Sequence, residues 1–292
     1  MRCPGLTTMF RKFFAIIGII AAFATLALAQ GKERGRDSLI ALVAQIQRAD
    51  YEGDRSALKR LHEQLEPFLR NKQLVARVKY WQAFALWRRA LNGFNESVDS
   101  RELQSDLERA LNDFDASSTA DPKFADAKIG AGSCLSNLMF LNRDDATRMK
   151  ELIARASDVL KQARTEAPDN PRLYWVLGPN LWYAPPERGG SQTGAIELYK
   201  KGLDLISNEK AHSTDPLEPS WGEPELLMNL AWSNLHKSMP DLSAAQSYAR
   251  SALKLVPYWH YVRDILLPQI NHAVDSGGGT HEQAAVARRL VS

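Results

Sequence analysis

The chain has 292 residues, of which 45% are hydrophobic and 24% charged, and its formal net charge is +3. This composition is typical of globular proteins and excludes the disordered and fibrous classes. Two cysteines are too few for a disulfide-rich scaffold, and 37 basic against 34 acidic residues lack the clear basic excess of a dedicated nucleic-acid binder.

Residues 1–29 have the pattern of a secretory signal peptide. Three basic residues and no acidic one precede the uncharged run 13–29, which ends in the triplet Ala27-Leu28-Ala29. We therefore expect cleavage after Ala29 and a periplasmic or secreted protein. The alternative is an uncleaved N-terminal membrane anchor, because the run is just long enough to span a bilayer. Removal of the leader would balance the basic and acidic residues at 34 each. The three basic residues are Arg2, Arg11 and Lys12.

Apolar residues recur at helical spacing along the rest of the chain, and strand-like alternation is absent. Leu39, Leu42, Val43 and Ile46 form one such stripe. The breaks between stripes fall at Pro, Gly, Asp and Asn, which are typical of helix ends. Among them, Asp54 and the pair Asp144 and Asp145 are interpreted as helix N-caps rather than as paired acids. The pattern predicts an all-α fold of about a dozen helices joined by short turns.

Two segments, 121–132 and 167–178, begin helices in the same way. In each, a Pro ends one helix, and Gly132 or Gly178 stands ten residues after that Pro. A glycine in mid-helix costs about 1 kcal/mol relative to alanine. The repeated glycine therefore predicts the close approach of a neighbouring helix, which a β-carbon would block.

The helices that follow also resemble one another. Small and apolar residues precede a proline at intervals of four, three and five residues, and the same intervals recur about ninety residues later. Small residues seven apart share one helix face, against which an adjacent helix packs tightly. The first set is Ala156, Leu160, Ala163 and Pro168, and the second is Ala245, Ala249, Ala252 and Pro257.

This pattern resembles the tetratricopeptide repeat, a helix-turn-helix unit of about 34 residues. The resemblance implies a right-handed α-solenoid with a concave surface that binds a partner rather than a catalytic centre. We place the helical repeat domain at 30–270, after the leader 1–29 and before a Gly-rich link and short helix at 271–292. Its units are expected at about 78–115, 122–167, 171–207 and 224–256, with flanking helices at 37–70 and 257–270.

In tetratricopeptide proteins the first helix of each unit usually lines the concave face. Trp and Arg dominate interface hot spots, so a groove lined by them is a reasonable binding surface. The alternative is that several of these tryptophans pack between helices, since Trp is usually largely buried. The expected partner-binding residues are Arg172, Trp175, Trp182, Arg188, Trp221, Met228 and Trp232. The resemblance also places Lys79, Gln82, Arg89, Asp126, Ile129, Ser133 and Ser136 on this face.

The segment 183–191 carries an insertion between the two helices of the third unit. Gly189, Gly190 and Ser191 lead into the next helix, so their backbone N–H groups could hold an anion. The alternative is a Pro-terminated helix followed by a Gly-Ser N-cap. The sequence PERGG here is similar to loops in the T-component proteins of TRAP-type transporters, although no cysteine for lipidation stands at the predicted cleavage point.

Catalytic motifs are absent from the sequence: it contains no nucleotide-binding glycine loop, nucleophile elbow or zinc-protease motif. His62 and Glu66 lie one helical turn apart, and we interpret them as a solvated surface pair, because two ligands are too few for a metal site. Cys134 is expected to be a small buried hydrophobe. The aromatic block 258–261 is expected to cover the end of the repeat stack.

These observations favour an exported, non-enzymatic scaffold that binds a protein or peptide in the cell envelope, with no catalytic residue, cofactor or metal. We expect no nucleic-acid partner, and no membrane span after cleavage of the leader. The alternative is a periplasmic accessory protein that binds a small ligand for a transporter, through the tryptophan-rich groove and the loop 185–191. A closed pocket among Trp175, Trp182, Trp221 and Trp232 would favour this alternative.

Overall fold

The computed structural model describes residues 35–212 and 215–276, and the side chains of these residues outside 207–212. The predicted leader and most of the predicted C-terminal link and helix lie outside the described residues. The described part is all-α, as predicted, with eleven α-helices and no strand. They are α1 (35–52), α2 (Arg55–Gln64), α3 (Val75–Asn95), α4 (Ser100–Ala120), α5 (Ala125–Leu141), α6 (Ala146–Glu166), α7 (Pro171–Tyr183), α8 (Gln192–His212), α9 (Glu223–His236), α10 (Leu242–Leu255) and α11 (Leu267–Asp275).

Short polar residues begin many of these helices. The predicted cap Asp54 accepts a hydrogen bond from the backbone N–H of Ala57, at 2.8 Å. Of the predicted pair Asp144 and Asp145, the second caps α6 by accepting from the backbone N–H of Arg148. Such a side chain satisfies one of the backbone donors that a helix start leaves unpaired. The sequence therefore sets these helix starts locally.

Neighbouring helices pack in a regular order. The pairs α3/α4, α5/α6, α7/α8 and α9/α10 form the closest contacts, and α4 and α8 also pack on the helix that follows them. The first helices of successive pairs touch each other as well, α3 with α5, α5 with α7, and α7 with α9. Within 35–276, as far as it is described, no helix is long and apolar enough to span a bilayer.

Two glycines permit close helix approach within these pairs, which confirms the prediction. A β-carbon on Gly132 would lie 2.4 Å from Leu160 Cδ2, so α5 and α6 could not pack as they do. A β-carbon on Gly178 would lie 1.9 Å from Tyr199 Cε1, so α7 and α8 could not pack as they do either. Cys134 of α5 is also buried in this core, as expected, with its thiol free.

The segment 215–222 and helix α1 both pack against α3 and α9. Trp81 Nε1 donates to the carbonyl of Leu217 at 2.9 Å, and Arg36 forms an ion pair with Asp215 at 2.6 Å. Tyr51, at the end of α1, lies 5.1 Å from the ring of Trp259. The aromatic block 258–261, predicted to cover the end of the repeat stack, therefore packs on α1 and connects the two ends of the described chain.

Two local interpretations from the sequence are wrong. His62 is not solvated as expected, since its side chain is only 12% exposed and its Nε2 lies 3.4 Å from Asp113 Oδ2. Glu66 is exposed, as expected, and accepts a hydrogen bond from Gln82 Nε2. Lys79 was expected on the partner-binding face, but its ammonium group donates to Asp113 of α4 at 2.8 Å. The side chains of the first unit that were expected to bind a partner instead stabilise the packing of α2, α3 and α4. Like Lys79, Arg89 pairs with α4, through Glu102 and Asp106, and Gln82 is buried.

Candidate partner-binding surface

The structure divides the seven predicted partner-binding residues into two groups. Arg172, Trp175 and Trp221 are 2%, 8% and 3% exposed, and so belong to the core. The remaining four reach the surface at the end of α7, in the loop that follows it, and on α9. They are Trp182, Arg188, Met228 and Trp232.

Arg172 holds α5, α7 and the segment 215–222 together. Its Nε donates to a carboxylate oxygen of Asp126, and its Nη1 donates to the carbonyl of Trp221 at 3.0 Å. Asn170 completes the arrangement by donating from Nδ2 to Asp126 Oδ2 at 3.0 Å. Since the charge of Arg172 is neutralised inside the protein, this arginine has a structural role.

Trp175 and Trp221 belong to an aromatic cluster in the centre of the molecule. Their ring centroids lie 5.5 Å apart, and each lies within 6 Å of Trp87 on α3, in edge-to-face geometries that favour attraction. The indole N–H of Trp221 donates to the hydroxyl of Tyr80 at 2.8 Å. For these two tryptophans the structure supports packing between helices, the alternative that the sequence left open.

A charged network lies beside these rings. Arg88 Nε donates to Asp50 Oδ2 at 2.7 Å, and its Nη2 lies 3.5 Å from Glu225 Oε1, to which the hydroxyl of Tyr51 also donates. The Arg88 guanidinium carbon lies 5.5 Å from the Trp87 ring, a cation–π distance. Burial raises the pKa of Glu225, and the charge of Arg88 opposes this rise.

A buried acid with a raised pKa is a common feature of catalytic sites, and also of structural ion networks. Glu225 has no exposed surface, and Asp50 is 3% exposed. A substrate outside the protein therefore cannot touch either carboxylate in this structure. The network links α1, α3 and α9 and contributes to the fold.

The surface group forms a separate aromatic cluster. The Trp182 and Trp232 ring centroids lie 5.3 Å apart, Tyr183 lies 6.3 Å from Trp232, and the His236 imidazole lies 4.5 Å from it. We call these four residues the aromatic edge. Tyr183 is 59% exposed, which is high for a large aromatic side chain, and Met239, three residues beyond α9, is 84% exposed.

Tyr183 and His236 were not among the residues expected from the sequence. The local signal for both was present, since Tyr183 adjoins Trp182, and His236 follows Trp232 by four residues, one helical turn. Partial burial lowers the pKa of His236 below its ordinary value of 6.5, so its imidazole is predominantly neutral at pH 7. The aromatic edge therefore carries no formal charge at that pH.

The loop after α7 has little capacity to hold an anion through its backbone. The N–H groups of Gly189, Gly190 and Ser191 donate to the carbonyls of Pro186, Pro185 and Leu181, at 2.9–3.1 Å. The Ser191 hydroxyl oxygen accepts from the N–H of Gly194 and so caps α8. This is the N-cap arrangement described above as the alternative to an anion site. Arg188 lies on the exposed surface of this loop.

A second aromatic contact lies at the ends of α3 and α5. The ring centroids of Phe94 and Phe140 are 5.9 Å apart, Phe140 is 44% exposed, and the Arg143 guanidinium lies 5.1 Å from the Phe140 ring. The C-terminal ends of α3, α5, α7 and α9 thus each carry a partly or fully exposed aromatic or imidazole ring.

Among the side chains that the structure describes, no group of three or more His, Cys, Asp or Glu could hold a metal ion. Comparisons of the chain with protein-family models, with characterised proteins and with solved structures find no match.

Proposed function

We propose that the chain is an exported, non-enzymatic helical-repeat scaffold of the tetratricopeptide-like class, which binds a protein or peptide partner through the aromatic edge. The observation that carries the proposal is the exposure of a contiguous set of Trp, Tyr and His rings at the ends of α7 and α9. Trp and Tyr are the residue types most enriched at interface hot spots. Each ring offers a large contact area at a small cost in conformational entropy.

The helix contacts support the repeat architecture. Four successive helix pairs, with contacts between the first helices of neighbouring pairs, are expected of an α-solenoid. In such a solenoid α3, α5, α7 and α9 would line the concave face, and the aromatic edge would lie where α7 and α9 end. Since Arg172, Trp175 and Trp221 are buried, the proposed surface consists of the aromatic edge with Arg188 and Met228.

Export is supported by the sequence of residues 1–29, through its basic start, uncharged apolar run and small-x-small ending. N-terminal sequencing of the protein from the envelope fraction of its host tests this part. A mature terminus at Gln30 is expected, whereas an intact terminus at Met1 or Arg2 would contradict cleavage.

Site-specific photo-crosslinking tests the binding surface. A photoreactive amino acid replaces Tyr183 of the full chain in its host, and a matched chain carries it in place of Ile153, which is 46% exposed on α6. We expect discrete crosslinked proteins from position 183 and not from position 153, and their loss when Trp232→Ala is added. The same crosslinked proteins from both positions, or none from either, would contradict the proposal.

A closed pocket among the four tryptophans would favour the small-ligand alternative. The ring contacts instead join Trp175 with Trp221 and Trp182 with Trp232, and no ring contact between the described side chains joins the two pairs. This arrangement favours the protein or peptide partner over a ligand bound among these four rings.

A further inference from the structure

A cavity of about 530 Å³ lies between α6 and α7, and its lining residues on α7, Leu177 and Asn180, precede the aromatic edge along that helix. Both helices pack on α5, but they contact each other less closely than either contacts α5. On α6, four lining residues follow Ser157 by three, four, seven and eight positions, so all five share one helix face. The four are Leu160, Lys161, Arg164 and Thr165. The volume falls within the range of about 300–1,000 Å³ that is usual for small-molecule sites.

The charged groups that line this cavity are both cations. Lys161 and Arg164 lie on its α6 side, and no acidic residue lines it. Neither side chain forms an ion pair with any residue whose side chain the structure describes. By contrast, Arg148 and Arg155, also on α6, form ion pairs. Their partners are Glu108 and Asp115 on α4 and Glu151 on α6. Two unpaired cations that face one cavity favour a negatively charged ligand.

An amide donor lies on the opposite side of the cavity. Asn180 of α7 is partly buried, and its Oδ1 lies 3.0 Å from the hydroxyl oxygen of Ser136 on α5. When the Ser136 hydroxyl donates to Asn180 Oδ1, rather than to the Gly132 carbonyl that also lies 3.0 Å away, the Asn180 Nδ2 is left as a hydrogen-bond donor. A carboxylate or phosphate oxygen can accept from such an amide while its charge is neutralised by a lysine or arginine.

The floor of the cavity is apolar. Leu160 of α6 and Leu177 of α7 are 8% and 5% exposed and line it from opposite sides. Leu160 occupies the space that the missing side chain of Gly132 leaves open. A ligand that reaches the two leucines therefore gains from the burial of a short hydrocarbon part, in addition to the charge of its head group.

We propose that the α6–α7 cavity binds a small organic anion, with a carboxylate or phosphate head group between Lys161, Arg164 and Asn180, and an apolar body over Leu160 and Leu177. The residues that line the cavity do not include those of the aromatic edge, so the proposal does not rest on a partner that binds at that edge. Because both cations are near solvent, binding is expected to weaken as the ionic strength rises.

Isothermal titration calorimetry on the full chain with three probes tests the site. Octanoate and octyl phosphate have the proposed head groups on the same hydrocarbon chain, and octanol is the uncharged control. We expect octanoate, octyl phosphate or both to bind at micromolar to millimolar concentrations and octanol to bind at least tenfold more weakly. The tighter of the two anions identifies the head group. Equal binding of octanol, or no binding of either anion, would overturn the proposal.

Variants at three lysine and arginine positions of α6 test the location. Lys161→Gln and Arg164→Gln should each weaken binding of the tighter anion about tenfold, which corresponds to about 1.4 kcal/mol, because each removes a charged hydrogen-bond donor from the head group. Lys150→Gln, at an exposed position of the same helix that does not line the cavity, should leave binding unchanged. All three side chains are exposed, so the variants are expected to fold, which circular dichroism checks. Equal weakening by Lys150→Gln, or no weakening by the other two, would contradict the location.

Discussion

Arg88 and Asp50 form an ion pair inside the protein, with Nε and Oδ2 2.7 Å apart and both side chains less than 10% exposed. Asn92 Nδ2 donates to the second Asp50 oxygen at 3.1 Å, so both carboxylate oxygens have partners. Asp50 lies near the end of α1 and Arg88 near the middle of α3. The pair therefore attaches the first described helix to the centre of the fold.

We predict that Arg88→Met strongly destabilises the protein. The change leaves Asp50 and Glu225 buried without a cation, and removal of one partner from a buried pair typically costs about 3–5 kcal/mol. Urea unfolding followed by circular dichroism measures the loss of unfolding free energy. Arg101→Met is the matched control, because the Arg101 side chain is 91% exposed and pairs with Asp99 on the surface. It should leave the stability nearly unchanged, because exposed ion pairs contribute little, and an equal loss in both variants would contradict the role of burial.

The same network predicts a dependence of stability on pH. Burial raises the pKa of Glu225 above its ordinary value of 4.5, so the folded state holds this proton more tightly than the unfolded state. The contribution of Glu225 to the free energy of unfolding is therefore fully present below pH 4.5, and it is lost as the pH rises through the folded-state pKa. Glu225→Gln removes this titration, so the unfolding free energy of the variant minus that of the wild type should rise with pH above 4.5. Urea unfolding at pH intervals of about half a unit measures this difference. A difference that stays constant between pH 4 and 8 would contradict the prediction.

Local features of the fold could be predicted from the sequence because they depend on residues close together in the chain. Helical spacing of apolar residues identified the helices, Asp54 and Asp145 identified two helix starts, and Gly132 and Gly178 identified two close helix contacts. Each depends on an intrinsic preference of the backbone or on the missing side chain of glycine.

The position of each tryptophan could not be predicted in this way. Trp175 and Trp182 lie on the same helix, two turns apart, yet the first is in the core and the second reaches the surface. The difference arises because Trp221, from a segment about forty residues further along the chain, packs on Trp175. The local spacing of apolar residues does not reveal a contact between residues so far apart in the sequence. For the same reason Lys79 was assigned to the wrong helix face.

We predict that Gly178→Ala destabilises the protein, although alanine has the higher helix propensity. The added β-carbon would lie 1.9 Å from Tyr199 Cε1, so α7 and α8 must separate or Tyr199 must leave its position. Overpacking of this kind typically costs about 1–3 kcal/mol, against a gain of about 1 kcal/mol in propensity. Thermal unfolding measures the balance.

Gly35→Ala is the matched control for this change. A β-carbon on Gly35 meets no described atom within 4 Å, and its φ angle is not in the left-handed region. The control should therefore leave the melting temperature unchanged or raise it slightly. If Gly178→Ala behaves like Gly35→Ala, then α7 and α8 do not pack through this glycine.

Trp175 and Trp221 provide a comparison between two buried tryptophans that differ in hydrogen bonding. The indole N–H of Trp221 donates to the hydroxyl of Tyr80 at 2.8 Å, whereas the buried indole N–H of Trp175 has no hydrogen-bond partner among the described residues. Replacement by Phe removes a similar ring area at both positions. In Trp221→Phe it also leaves the hydroxyl of Tyr80 buried without its partner, which costs about 1–3 kcal/mol.

We therefore predict that Trp221→Phe lowers the unfolding free energy by about 1–3 kcal/mol more than Trp175→Phe does. In a Tyr80→Phe background the difference should largely disappear, because no hydroxyl remains to be left unpaired, and a double-mutant cycle measures this coupling. Equal losses at the two positions, or a difference that persists without the Tyr80 hydroxyl, would show that ring packing alone decides the stability. Either result would mean that the hydrogen bond between Trp221 and Tyr80 does not contribute to the packing of segment 215–222 against α3.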